Sequence, residues 1–280
     1  MKVYAFKIPK KPRENITVQN DKGPAFYDKL HQHEEIQISQ ILEGTGKLIA
    51  GDSVHSFQRG DLFVIGSGIP HFFKSAASSK NSQMVSLFFR KDSFGSNFFD
   101  IEEMKELQGF FSNAKTGFKT ISTNRKIVES MKGLISLGHF SRFMVLIQLL
   151  KDLSDSPKTK LSGFVQQKQV SNDQGERLRA VFDYVMKNFD QKIELKTVAK
   201  LVHMTPNAFC RFFKERTNKT FFRFLIEVRV EHVCQLLINH KDMPIVEAAN
   251  TSGFNSISNF NRMFREIKGT NPTEYLQHLY

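Results

Sequence analysis

Apolar residues change their spacing along this chain. Up to about residue 90 they come in short runs: Lys47-Leu48-Ile49-Ala50, Leu62-Phe63-Val64-Ile65 and Met84-Val85-Ser86-Leu87-Phe88-Phe89. His33 to Leu42 alternates in part. Lys47–Ala50 meets Ser53-Val54-His55-Ser56-Phe57 across Gly51-Asp52, which predicts a hairpin on a two-residue glycine-containing turn. Several short strands bounded by glycine and polar clusters predict a β-sandwich or barrel.

From about residue 97 the spacing becomes helical. Phe98, Ile101, Met104, Leu107 and Phe111 recur at steps of three and four. So do Ile127, Val128, Met131, Leu134 and Ile135, and then Phe140, Phe143, Met144, Ile147 and Leu150. Residues 154–175 are rich in Ser, Lys and Gln and read as a linker, with Leu161, Phe164 and Val165 able to dock locally. Helical spacing resumes at Leu178, Val181, Phe182, Val185 and Phe189 and holds to the end.

This last region contains a repeat. Phe209-Cys210-Arg211-Phe212-Phe213-Lys214-Glu215 is echoed by Phe260-Asn261-Arg262-Met263-Phe264-Arg265-Glu266, and the register continues from Asn218 to Gly269 and from Phe224 to Tyr275. In the first copy Leu195, Val198, Ala199 and Val202 predict a short helix, His203-Met204 a turn, and Thr205-Pro206 the start of a second helix. In the second copy Ile245, Ala248 and Ala249 supply the first helix, Gly253-Phe254 the turn, and Ser256 the next start. A continuous helix over roughly 221–239 joins the two. Two short helices across a tight turn, the second with a polar, basic outer face, is the helix-turn-helix arrangement. The aromatic positions are expected in the core. The outer faces carry the expected DNA contacts: Asn207, Cys210, Arg211 and Lys214 in the first copy, and Ser256, Ile257, Ser258, Asn259, Asn261 and Arg262 in the second. Arginine suits this role because its planar fork reads a guanine edge or clamps phosphate.

Composition narrows the classes. The 280 residues carry a net charge of +12, spread over the chain rather than gathered at one end. Charge therefore admits an anionic partner without choosing it. Two cysteines form no disulfide framework, no apolar run reaches membrane-spanning length, and no signal peptide is legible. A cytoplasmic protein with no membrane partner is expected.

Residues 176–280 resemble the DNA-binding domain of AraC/XylS-type transcription regulators. The resemblance rests on Leu195-x-x-Val198-Ala199, Met204-Thr205-Pro206, Phe209-x-Arg211-x-Phe213-Lys214, and the tail from Gly253-Phe254 through Phe260-x-Arg262-x-Phe264-Arg265 to Gly269-x-x-Pro272-x-x-Tyr275. Ala248, Asn218 and Leu276 depart from the pattern. Upstream, His31-Gln32-His33 with Gln37, then Gly60 and Gly66-Ser67-Gly68-Ile69-Pro70-His71, is similar to the two cupin motifs. Gln37 stands where metal-binding cupins carry Glu, and Gly66 where Pro is usual.

These resemblances imply an α+β chain of two domains. A cupin-like β-barrel spans 1–95, a helical interface or dimerisation segment 96–153, a linker 154–175, and a DNA-binding domain with two helix-turn-helix motifs 176–280. Their implied partners are double-stranded promoter or operator DNA, a small-molecule effector, a second copy of the chain, and RNA polymerase if the protein activates. His31, His33, Gln37 and His71 are read either as polar lining of the barrel or as hydrogen-bond partners of an effector between apolar walls such as Phe72 and Phe73. No cofactor, metal or enzymatic activity is expected, because a neutral amide competes weakly for a divalent ion. The competing reading is a cupin-type metal-binding protein or metalloenzyme fused to a DNA-binding domain. An RNA-binding module lacks the exposed aromatic platform that single strands require.

Overall fold

A computed structural model of the chain describes residues 4–5, 8–9, 14–76, 79–120, 125–163, 172–240 and 242–277. The chain divides into two compact units near residue 170, except that Asp52–Ser56 groups with the second.

The first unit is built on two sheets. Its strands are β1 (Tyr4–Ala5), β2 (Ile16–Gly23), β3 (His31–Gln32), β4 (Ile36–Glu43), β5 (Gly46–Ala50), β6 (Ser53–Phe57), β7 (Leu62–Ile65), β8 (His71–Ser75) and β9 (Ser82–Phe89). Helix α1 (Gln108–Ala114), strand β10 (Phe118–Thr120), helices α2 (Arg125–Gly133) and α3 (His139–Asp155), and strand β11 (Lys158–Lys160) follow. One sheet runs β1-β3-β8-β5-β6 and the other β11-β10-β7-β4-β9-β2. The β5–β6 hairpin turns where the sequence predicts, with Gly51 at φ 58°.

Inside the larger sheet β7 and β9 are buried on both faces, which explains why they read as near-continuous apolar runs. Ile36 and Ile38 of β4 and Val85, Leu87 and Phe89 of β9 pack beneath the helices against Phe110, Leu146 and Leu150. Ile41, Phe63, Ile65 and Met84 point the other way, into a core shared with Leu48, Ala50, Phe57 and Phe73 of the smaller sheet.

Three expectations are corrected here. Residues 98–107 form two 3₁₀ turns, Phe98–Asp100 and Glu102–Leu107, because Ile101 between them is extended at ψ 160°. The apolar spacing marked a buried side but not one continuous helix. On α3 the buried stripe is Leu146, Leu149, Leu150 and Leu153, while Phe140 is 76% and Met144 53% exposed. The span read as a linker is structured at both ends. α3 runs to Asp155, β11 pairs antiparallel with β10 (Phe118 opposite Lys160), and Leu161 is buried. Lys158-Thr159-Lys160 carries no hydrophobic pattern, so its partner strand decides its structure. Phe164 and Val165 lie outside the described residues.

Gly66 has a packing reason. A Cβ there would come within 1.9 Å of the Ala114 carbonyl oxygen at the end of α1. That close approach excludes the proline usual in the cupin motif.

The second unit is helical: α4 (Asn172–Asn188), α5 (Leu195–Leu201), α6 (Pro206–Thr217), α7 (Phe221–Asn239), α8 (Ile245–Thr251), α9 (Ile257–Lys268) and α10 (Pro272–Gln277). α7 buries Phe224, Leu225, Val228, Val230, Val233, Cys234 and Leu237, so it is apolar on most of its circumference and forms the unit's spine. The sequence echo persists in the packing. Phe209–Phe213 ring centroids are 5.8 Å apart and Phe260–Phe264 5.6 Å; Phe213–Phe224 are 5.6 Å and Phe264–Tyr275 5.5 Å. Each of the five phenylalanine rings among these is fully buried and contributes about 1.5–3 kcal/mol relative to exposure, while Tyr275 is partly buried. No helix among the described residues is long and apolar enough to cross a membrane.

Candidate nucleic-acid interface and ligand cavity

α6 and α9 begin and end by the same chemistry. Thr205 Oγ1 accepts a hydrogen bond from the Ala208 N–H (3.3 Å), with Pro206 at the first helical position. Ser256 Oγ accepts from the Asn259 N–H (3.3 Å). At the other end Asn218 (φ 54°) and Gly269 (φ 76°) adopt the left-handed conformation, and their N–H groups donate to the carbonyls of Lys214 and Arg265. Each helix buries its aromatic side. All ten residues expected at DNA are exposed: Asn207, Cys210, Arg211, Lys214, Ser256, Ile257, Ser258, Asn259, Asn261 and Arg262. Cys210 is a free exposed thiol, whereas burial pushes the Cys234 thiol up to about 12.

Two differences break the symmetry. The Met204 N–H donates to the Ala199 carbonyl, and the Phe254 N–H to the Ala249 carbonyl, so the turns correspond at an offset of 50 residues. The caps Thr205 and Ser256 correspond at 51. The second turn is therefore one residue longer, by Asn255. Secondly, Arg262 Nη2 donates to Asn259 Oδ1 at 3.0 Å. The position matching Asn259 in the first copy is Ala208, which has no acceptor to brace Arg211. Arg265, absent from the expected set, is exposed beside Arg262 along a groove of about 920 Å³ that Val246 and Ile257 also line. The signal was available, since Arg265 repeats Lys214.

The two halves are clasped through the loop between α4 and α5. Arg229 of α7 donates from Nε to the Phe189 carbonyl (2.7 Å) and from Nη2 to the Gln191 carbonyl (2.8 Å). Gly253, at φ 85° in the second turn, lies so close that a Cβ would meet the Asp190 carbonyl oxygen at 2.7 Å and that of Phe189 at 2.8 Å. The Phe189 ring meets His232 edge-on at 4.7 Å, and His232 Nδ1 is 2.9 Å from Ser252 Oγ. Ion pairs reinforce α7, where Lys219 Nζ reaches Glu227 at 2.8 Å.

In the first unit His31, His33, Gln37 and His71 are brought together and buried. One ring nitrogen from each of the three histidines lies within 4.8 Å of the other two. Each ring is oriented from behind by a backbone carbonyl at its Nδ1: Lys29 (2.7 Å), Glu35 (3.0 Å) and Ile69 (2.8 Å) respectively. Burial depresses the basicity of His31 to about 4 and takes His71 well below its ordinary value. A cation here would meet three imidazoles, but the fourth partner is the neutral carboxamide of Gln37 and supplies no charge.

Beside this group lies a cavity of about 250 Å³. Phe26, Phe73, Met84 and Phe88 wall it, with Tyr27, His31 and Gln37 offering polar groups. Phe73 lines it but Phe72 does not. Strand alternation places His71 and Phe73 on one face of β8 and turns Phe72 away, so of the two expected walls only Phe73 faces the cavity.

Residues 16–134 match the family described as AraC-like ligand binding domain, and residues 198–278 match a helix-turn-helix domain family. The chain is 25% identical over 270 residues to the helix-turn-helix transcriptional regulator YdeC of Bacillus subtilis, covering 89% of this chain and 86% of that one. It is 21% identical over 266 residues to the Msm operon regulatory protein of Streptococcus mutans, covering 91% and 88%. Among solved structures, the DNA-binding domain of AdpA in complex with a target DNA is 25% identical, covering 36% of this chain and 91% of that one at a TM-score of 0.34.

Proposed function

From the premise that this chain is an AraC-family helix-turn-helix transcriptional regulator with an AraC-like ligand-binding domain, and not an enzyme, we propose that it reads a specific duplex site through α6 and α9 under control of a small organic effector. The observation that carries this reading is the duplicated reading helix. Both copies have matching caps, a buried aromatic side and an exposed arginine at the same place. The core gives no reason for Arg211 and Arg262 to repeat. α7, with 19 residues, is about 28 Å long. That approaches the ~34 Å turn of duplex DNA, so reading helices packed on its first half (Phe213 on Phe224) and its second half (Phe260 and Phe264 with Val230 to Leu237) suit successive major grooves.

The cavity beside Gln37 and His31 is the proposed effector site. Its aromatic and Met walls suit an apolar body, and its polar groups suit a few hydrogen bonds. A second copy of the chain is the proposed partner of α3, because Phe140 and Met144 are exposed one helical turn apart with Ile135 nearby in sequence. An effector acts by binding one arrangement of the regulator more tightly than another. RNA polymerase becomes a partner if the operator position makes the protein an activator. The site of action is the cytoplasm.

The test is equilibrium binding of the full chain to a duplex selected from a random pool, against scrambled duplex at controlled salt. A specificity ratio of ~10³ or more is expected. Equal affinity for the two duplexes overturns the reading.

A further inference from the structure

The Gln37 carboxamide faces two imidazoles at once. His33 Nε2 is 3.1 Å and His71 Nε2 3.0 Å from Gln37 Oε1, while Gln37 Nε2 is 2.7 Å from Ser39 Oγ. Ser39 Oγ is in turn 2.7 Å from Ser86 Oγ, its cross-strand neighbour on β9. All of these side chains are buried.

Hydrogen-bond accounting restricts where the protons are. A backbone carbonyl has no proton to give, so the Nδ1 of His33 and of His71 must donate to Glu35 and Ile69. Neutral rings then present bare lone pairs at Nε2. An amide oxygen at 3.0–3.1 Å opposite two lone pairs is acceptor against acceptor. Protonating both rings would relieve this, but it would put two imidazolium ions side by side in a buried site. Glu35 Oε2 lies 3.7 Å from His33 Nδ1, on the far side of the ring from Gln37, and does not reach His71 as a partner among the ion pairs of the described residues. A half-turn of the carboxamide about Cγ–Cδ solves the problem without any charge. The two amide hydrogens then reach the two lone pairs, and Oε1 accepts from the Ser39 hydroxyl. Ser39 accepts from Ser86. The serine pair permits this because either hydroxyl can be the donor.

We infer that Gln37 takes the place of a cation: its NH₂ group donates to Nε2 of both His33 and His71, and this cross-link, relayed to Ser39 and Ser86, closes the three-histidine cluster in a metal-free form. A carboxylate at position 37 has no proton to donate. It would leave both lone pairs opposite negative charge, an arrangement satisfied by a bound metal ion or by protonation of the rings, and a metal ion satisfies both lone pairs at once. One amide thus decides between a hydrogen-bonded core and a metal site, on an otherwise competent set of ligands.

The test compares the full chain with its Gln37→Glu variant, using Co²⁺ as the probe. The variant is expected to bind one Co²⁺ per chain, with visible absorption bands, and to melt at a higher temperature when Co²⁺ is present. Adding His71→Ala should abolish both effects. The unaltered chain is expected to bind Co²⁺ at least ~10–100-fold more weakly, with an unchanged melt. Stoichiometric, variant-like binding by the unaltered chain overturns the inference. So does a folded Gln37→Glu variant that ignores Co²⁺. If that variant does not fold, ¹⁵N shifts of the histidine rings in the unaltered chain decide. Neutral Nδ1–H rings at both His33 and His71 at pH 7 support the cross-link, and imidazolium or Nε2–H rings refute it.

Discussion

Replacing Arg262 by alanine should cost sequence discrimination, whereas replacing Arg211 should cost affinity for any duplex. The difference comes from Asn259. Its Oδ1 accepts one N–H from Arg262 at 3.0 Å, which leaves four of the guanidinium's five donors available and holds the plane at one attitude. A fork held in this way is prepared for a bidentate contact with a base edge. Arg211 has Ala208 in the equivalent place, keeps its rotamer freedom and suits a phosphate. A bidentate base contact is worth ~1–3 kcal/mol of discrimination, or roughly 5- to 150-fold. A lost phosphate contact weakens all duplexes alike and lowers the slope of log affinity against log salt by about 1. The assay is a salt series on the selected and scrambled duplexes with the unaltered chain, Arg211→Ala, Arg262→Ala and Asn259→Ala. Arg262→Ala should reduce the selected-to-scrambled ratio by 5- to 150-fold, and Asn259→Ala should reduce it part of the way. The reasoning is refuted if Arg262→Ala weakens both duplexes equally and lowers the slope, or if Asn259→Ala leaves the ratio untouched.

Other consequences can be checked separately. Gly253→Ala should destabilise the helical unit by about 1–3 kcal/mol in chemical denaturation, because a side chain at φ 85° meets two backbone carbonyls. In the native protein a thiol reagent should modify Cys210 and spare buried Cys234, and the selected duplex should protect Cys210; unprotected labelling of Cys210 would take α6 off the DNA. Met144→Asp should shift the sedimentation coefficient towards monomer with little change in melting, since Met144 is 53% exposed; an unchanged assembly would remove α3 from the interface. The β unit should lose stability as pH falls. His31 and His71 are held below their ordinary 6.5 by burial, so the unfolded chain binds their protons first. The loss begins near pH 6.5 and runs down to about 4 for His31, at up to about 1.4 kcal/mol per pH unit for each ring. A flat melt between pH 7 and 5 would contradict the burial.

The helical unit was legible because its determinants are local. Thr205, Ser256, Asn218 and Gly269 each act within one turn of chain, and the echo states the fold twice. The extra residue of the second turn leaves no mark on the echo, which runs between the helices that follow the turns. In the β unit the strands were legible as runs, but strand order is a long-range matter: nothing near Lys158–Lys160 announces that it pairs with Phe118–Thr120. α3 shows a second limit. Phe140 and Met144 continue an apolar spacing, and spacing does not distinguish a face turned to the core from one left outside. The histidine cluster was legible through its resemblance to the cupin motifs, but the conflict at Gln37 Oε1 required distances.

On this reading one chain contacts DNA with two unlike helices carried on the α7 spine. Hydroxyl-radical footprinting of the full chain on its selected duplex tests it most directly. Each protomer should leave two protected patches on one face of the duplex, about one helical turn (~34 Å) apart and unequal in sequence. Arg262→Ala should weaken one patch while sparing the other. A single patch per protomer, or two of identical sequence, would contradict it.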